Sequence, residues 1–208
     1  MNTTNSLLIC ETRFKLRSGT INAYMNDPYW VQTYAPDYPL EPRWCIDLYF
    51  EAGELGNDEF EPRVYHESLP ISIRSWKQLA GTTYEWKEPF DDSGQANGGL
   101  YLCEHGNITE AHLRIECIES TLHRVELVGK FETLVGDELP PELSFNLTSE
   151  VRFSGVSVAG SGRESEMEMR ARFSKYFDLS DFEEDEIEKQ GRYESGVEVR
   201  RVFFRPST

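Results

Sequence analysis

Alternating apolar and polar residues between Leu100 and Leu127, interrupted by two turn signals, restrict the fold of this chain more than any other feature. Gly106-Asn107 is a two-residue hairpin signal. Closing a turn there pairs His105 with Ile108, so that Leu102 faces Ala111 and Leu100 faces Leu113. The connection Glu119-Ser120-Thr121 sets Cys117 opposite His123, Ile115 opposite Val125 and Leu113 opposite Leu127, with Arg114, Glu116, Arg124 and Glu126 on the other face. A slip of one residue would invert every side chain. A register that suits both turns therefore predicts a three-stranded meander from Gly99 to Glu132.

The same period of two recurs elsewhere. Leu8, Cys10, Thr12, Phe14 and Leu16 share one face of a first strand that ends at Gly19, and Trp44, Ile46, Leu48 and Phe50 share one face of another. Residues 64–74 read as a strand with Pro70 at an edge or bulge. After Pro140-Pro141, a long strand puts Leu143, Phe145, Leu147, Val151 and Phe153 on one face, with Gly155 as a bulge. A hairpin over Gly160-Ser161-Gly162 then sets Phe153 against Met169 and Val151 against Ala171. Ser180 with Glu183 three residues on is a capping-box pattern and predicts a helix over 181–190, while a last strand lies near 197–204. Together these elements predict an all-β fold: a mainly antiparallel sandwich or barrel of about nine strands, with one short acidic helix near the C-terminus. The 208 residues suit a single domain spanning 1–208.

Charge narrows the partners. Lys plus Arg number 21 against 37 Asp plus Glu, a net charge of -16, which repels a phosphate backbone and attracts a basic protein. No nucleic acid is expected as a partner. The N-terminal apolar run, Leu7 to Cys10, is too short for a signal-peptide core or a membrane span, so a cytoplasmic location away from membranes is expected. Cys10, Cys45, Cys103 and Cys117 form no C-x-x-C pair and read as reduced thiols, which leaves the sequons at Asn2, Asn107 and Asn146 unmodified.

Few residues nominate chemistry. No G-x-S-x-G, H-E-x-x-H, phosphate loop or EF-hand loop is present. Cys117 and His123, facing each other at the end of the meander, are the one candidate thiol–imidazole pair, set against the plainer reading of a core rim. His66, His105, His112 and His123 do not share a face, so no metal site and no cofactor are expected. Asp91-Asp92-Ser93 and the acidic loop 51–61 lack calcium-ligand spacing and read as solvated loops. Arg152, Arg170 and Arg172 have Glu150, Glu166 and Glu168 nearby in sequence and read as a solvated salt-bridge lattice.

The aromatic segments weigh most. Residues 22–43 have no period yet hold Tyr29, Trp30, Tyr34 and Tyr38 among four prolines, and Tyr84 and Trp86 stand in a second irregular stretch. Such rings offer large contact area with few torsions to freeze, and they equally suit a cap over the open ends of a β core. Asp178 to Glu188 brings seven carboxylates, among them Asp181, Glu183, Glu184, Asp185 and Glu186, with no Lys or Arg between them; Glu51 to Glu61 brings five on the same terms. The leading expectation is a non-enzymatic cytosolic protein that engages a basic protein partner, such as an immunity protein or toxin inhibitor, through these aromatic and acidic segments. A small-molecule or carbohydrate-binding barrel or sandwich is the alternative. A hydrolase with carboxylate or Cys-His chemistry is the third reading.

Overall fold

The computed structural model of the chain describes residues 5–91, 94–133, 139–185 and 187–207, and among them lie fourteen strands and two α-helices. The first predicted strand is a hairpin, β1 (Ser6–Ile9) and β2 (Thr12–Met25). Cys10 turns the chain at a left-handed φ of 54°, so Ile9 pairs with Thr12 while Leu7, Ile9 and Phe14 all enter the core. Gly19 does not end β2. Beyond it, the aromatic stretch holds a short helix, α1 (Pro28–Tyr34). Asp27 starts it by accepting from the Tyr29 backbone N–H at 2.9 Å, and Pro28 pre-sets the first-turn φ.

β3 (Arg43–Phe50) buries Trp44, Ile46, Leu48 and Phe50, the face that alternation predicts. The acidic loop contains a small hairpin, β4 (Gly53–Leu55) and β5 (Asp58–Phe60). β6 (Arg63–Leu69) stops before Pro70, which has no N–H for a ladder. β7 (Thr83–Trp86) runs along the Ala111 to Arg114 stretch of the later meander.

The meander consists of β8 (Gly99–Tyr101), β9 (His105–Glu119) and β10 (Leu122–Glu132). Its second turn carries the predicted register, with His123 opposite Cys117, Val125 opposite Ile115 and Leu127 opposite Leu113. Its first turn is shifted. Tyr101 pairs with His105 and Leu100 with Gly106, so the reversal falls at residues 102–104 instead of Gly106-Asn107. Gly106 serves close approach, because β9 is squeezed there between β8 and the end of β10, and a Cβ would press into the Glu132 carbonyl.

β11 (Glu142–Ser161) buries Leu143, Phe145, Leu147, Val151 and Phe153 and continues through the predicted hairpin at 160–162. Residues beyond it form a helix, α2 (Glu166–Ser174), so Met169 and Ala171 do not pair with Phe153 and Val151. Ser165 and Glu168 make the reciprocal capping box that starts α2. Among the described residues of 181–190 the predicted helix is absent. Phe182–Glu184 is β12 and Glu188–Arg192 is β13, both paired with β14 (Glu198–Pro206). A helix there would stack Glu184 on Glu188 at i, i+4, whereas the strand sets Glu183 opposite Arg205.

Closure of the sheet decides between barrel and sandwich. The first half of β11 pairs with β10 on one edge and β1 on the other; its second half pairs with β14 and, in parallel, with β2. Gly155 stands at this hand-over with φ 129°, where the β11–β2 register shifts, as a bulge in this position requires. The ladder β1-β2-β3-β6-β8-β9-β10-β11 thus returns to β1 as a barrel. Extra strands beyond the expected nine are mostly three residues long, too short for alternation to register.

Side chains fill the barrel. Trp44, Phe14, Phe50, Phe131 and Phe153 are fully buried, and α2 seals one side with Phe173, stacked 3.8 Å from Phe204. Arg172 pins α2 in place: it pairs with Glu164 at 2.9 Å and donates to the Asn26 and Ala159 carbonyls at 3.0 and 2.6 Å. The predicted solvated lattice is therefore split, with Arg172 buried and Arg170 paired with Glu184 and Glu166. All four cysteines are free, and among the described residues no helix is long and apolar enough to cross a membrane.

Candidate functional site

Tyr29 and Tyr34 project from α1 toward Tyr193, which sits in the turn joining β13 to β14; ring centroids are 5.8 and 6.1 Å apart. Hydrogen bonds fix this group. The Tyr29 hydroxyl donates to Ser195 at 3.0 Å and the Tyr193 hydroxyl to the buried Asp27 carboxylate at 2.8 Å. Burial, and then that bond to Asp27, push the Tyr193 phenol well above its ordinary range, so it stays protonated as a donor. The Arg163 guanidinium lies 4.8 Å from the Tyr29 ring centroid. Trp30 meets Tyr38 edge-on at 5.8 Å, and the Tyr38 and Tyr24 hydroxyls are 3.1 Å apart. Three segments distant in sequence thereby form one aromatic surface, with Tyr34 the most exposed ring at 45%.

The surface continues into an open cleft of about 290 Å³ walled by Tyr34, Tyr38, Pro39, Arg43, Ser68 and Gln95. A second cleft of about 270 Å³, with Pro42, Pro70, Ile71, Ile73 and Tyr176 among its walls, shares Pro39 and Arg43 with the first. Arg43 is thus the hinge between the two. It also connects the aromatic surface to the second predicted aromatic group. Tyr84 and Trp86 on β7 stand 5.5 Å apart and both pack edge-on against His66, at 6.0 and 5.3 Å. Burial lowers His66 to about 3, with the Arg43 charge acting in the same direction and Asp91 opposing it. Trp86 itself is buried and donates to the Ile108 carbonyl at 3.2 Å, so it belongs to the barrel wall.

Cys117 and His123 are neighbours in register, yet the backbone of their turn engages each of them separately. Buried His123 has Nδ1 2.9 Å from the Thr121 carbonyl, while the exposed Cys117 Sγ points to the Ser120 carbonyl at 3.7 Å. Burial lowers the His123 pKa. Cys45, the most protected thiol, is pushed up to about 12 by burial and by Glu67 and Asp47, which makes it a poor nucleophile at neutral pH.

The chain matches no protein-family model, and no curated protein or solved structure is similar to it.

Placement of the acidic segments changes their meaning. Asp181 is paired with Lys77 and Ser75, Glu184 with Arg170, and Asp185 with Arg205; Glu183 is exposed. Glu186 and, in the Asp91-Asp92-Ser93 stretch, Asp92 and Ser93 lie outside the described residues. Glu51 pairs with Lys15 and Glu61 with Arg17. Five acids of these runs are thus neutralised by cations from elsewhere in the fold, whereas Glu54, Asp58, Glu59 and Glu183 are exposed with no ion-pair partner among the described residues. Asp37, Glu41 and Glu194 are likewise exposed with no ion-pair partner among the described residues, and they are the ones that adjoin the aromatic surface and its clefts. Sequence reading missed Arg43 and Tyr193. Tyr193 carries a faint signal, an aromatic in an otherwise polar turn, whereas nothing in the sequence around Arg43 distinguishes it.

Proposed function

We propose that this chain is a non-enzymatic binding protein that engages a basic protein partner, as an immunity protein or toxin inhibitor does, through the aromatic surface of α1 and the β13–β14 turn. The observation that carries this reading is the convergence of Tyr29, Tyr34 and Tyr193 on a rigid, side-chain-filled barrel. Rings held by Ser195 and Asp27 lose little freedom on binding, which is how tyrosine-rich surfaces gain affinity. Asp37, Glu41 and Glu194 supply the unneutralised negative rim that a basic partner pairs with, in preference to the internally paired Asp181, Glu184 and Asp185. They belong to the net charge of -16 that draws a cationic protein in.

Capture from native lysate at graded salt tests the reading, using the wild-type protein beside a Tyr34→Ala, Asp37→Lys double variant. Both positions are exposed, so the barrel is expected to keep its stability. The wild-type chain is expected to retain a basic protein whose capture weakens between about 0.01 and 0.15 M salt, as the screening length shrinks from roughly 30 to 8 Å. The variant is expected to retain about tenfold less, a change of roughly 1.4 kcal/mol. Equal retention by the variant, or capture indifferent to salt, rules the interface out.

A further inference from the structure

Arg43 shares with Arg201 a buried Nε without a partner and the lack of a carboxylate partner among the described residues, and of the two it is Arg43 that lines the clefts beside the aromatic surface. It opens β3, opposite Tyr24 of β2, and lines both clefts. Its hydrogen bond to the Ser68 carbonyl is long, at 3.5 Å, its Nε is buried with no partner, and no carboxylate pairs with it among the described residues. The unmet Nε leaves the guanidinium without a full set of acceptors, and an anion in the clefts that Arg43 lines would supply charge-assisted partners to its remaining N–H groups. A guanidinium presents its N–H groups as a planar fork that matches the two oxygens of a carboxylate.

We propose that the paired clefts at Arg43 capture the free C-terminal carboxylate of a partner chain that carries basic residues close to its end. This rests on the reading of the molecule as a binder of basic proteins and names the part of the partner it holds. The chemistry around Arg43 selects that occupant. Pro42, Pro70, Ile71, Ile73 and Tyr176 give the second cleft an apolar wall of the size a terminal leucine or phenylalanine side chain fills. Asp37 and Glu41, exposed in the walls of the first and second cleft, lie where the preceding residues of the bound chain must pass, and they favour Lys or Arg there. A free phosphate or a nucleic acid meets the same two carboxylates as repulsion, whereas a chain end with one carboxylate and flanking cations complements both signs. Tyr34 and Tyr38 extend the contact into the aromatic surface, which makes the terminus an anchor within a larger interface.

Fluorescence anisotropy with three labelled octapeptides tests this. The first ends Lys-Arg-Pro-Leu with a free carboxylate, the second is its C-terminal amide, and the third replaces Lys and Arg by Glu. The free acid is expected to bind, with the amide and the acidic peptide each about tenfold weaker or worse, the loss expected for one charge-assisted fork. Arg43→Met is expected to abolish the difference between acid and amide, and Arg43→Lys, which keeps the charge without the fork, to retain part of it. Equal binding of acid and amide, no binding of any peptide, or an acid preference that survives Arg43→Met each overturns the proposal. So does benzoate competing as well as the peptide, since that assigns the site to a small free acid. If Arg43→Met still captures the native partner while Tyr34→Ala, Asp37→Lys does not, the chain-end proposal falls and the protein interface stands.

Discussion

Gly106→Val is expected to lower the melting temperature by roughly 8 to 16 °C, the equivalent of about 4 kcal/mol for a chain of this size. Gly106 is buried between β8 and β10. A Cβ there would drive into the Glu132 carbonyl and lie 3.2 Å from the Leu100 carbonyl, both residues held in ladders, Glu132 with Glu142 of β11 and Leu100 with Gly106 itself. Backbone atoms have no rotamer with which to retreat, so β8 or β10 must separate and the barrel opens at its weakest seam, the three-residue β8. Gly106→Ala meets the same atoms and is expected to fall between Val and wild type. Thermal unfolding followed by far-ultraviolet circular dichroism measures both. A shift of less than about 2 °C for the valine variant would show that β9 does not run in this register.

Acid is expected to weaken the protein through His66. Burial holds the folded-state imidazole near 3 against an ordinary value of 6.5. Between those values the unfolded chain binds the proton and the folded one does not, so stability is lost as pH falls below 6.5 and the loss levels off near 3. The expected cost is about 2 kcal/mol at pH 5 and about 3 kcal/mol at pH 4. Carboxylates titrate in the same range, and burial lowers His123 as well, so the informative quantity is the difference from His66→Phe. Phenylalanine keeps a ring against Tyr84 and Trp86 and removes the imidazole whose Nε2 is buried without a partner. Urea midpoints from pH 7 to pH 4, read by tryptophan fluorescence, are expected to shift in favour of the variant as pH drops. A wild-type-minus-variant difference that stays constant with pH would place His66 in contact with water.

How much of this was legible in the sequence depends on whether an element owes its shape to neighbours in sequence or to distant ones. The β9–β10 register follows from alternation across a short turn and was readable from Cys117–His123 to Leu113–Leu127; only at the turn itself does an irregularity pair Glu119 with Leu122. The β8–β9 turn was misplaced because Gly106 satisfies a crowding condition set by Glu132, which lies 26 residues further on and which no local pattern encodes. Two capping-box patterns were present, at Ser165–Glu168 and Ser180–Glu183. The first starts α2, where Met169 and Phe173 bury at i, i+4; the second fails because Phe182 is held in a strand by β14. Residue types alone do not separate them. The apolar spacing after Ser165 was the available signal.

The candidate site divides in the same way. Tyr29, Trp30, Tyr34 and Tyr38 were visible as an aromatic cluster, and the structure collects them on and after α1. Trp86 was visible too, although its indole closes the barrel wall. The unpaired state of Arg43 and the pairing of Asp181, Glu184 and Asp185 were not visible, because an ion pair depends on which strands become neighbours. Counting charges along the chain therefore pointed at several acids that already have partners, and away from Asp37, Glu41 and Glu194 beside the aromatic surface.

Site-specific photo-crosslinking in native lysate tests the central claim most directly. A benzophenone side chain is placed at Tyr34 on the aromatic surface and, in a second preparation, at Glu54 on the exposed β4–β5 hairpin. Irradiation is expected to give one discrete adduct with a basic protein from position 34, lost when salt is raised, and none from position 54. No adduct at 34, or the same adduct from both positions, would contradict an interface centred on α1.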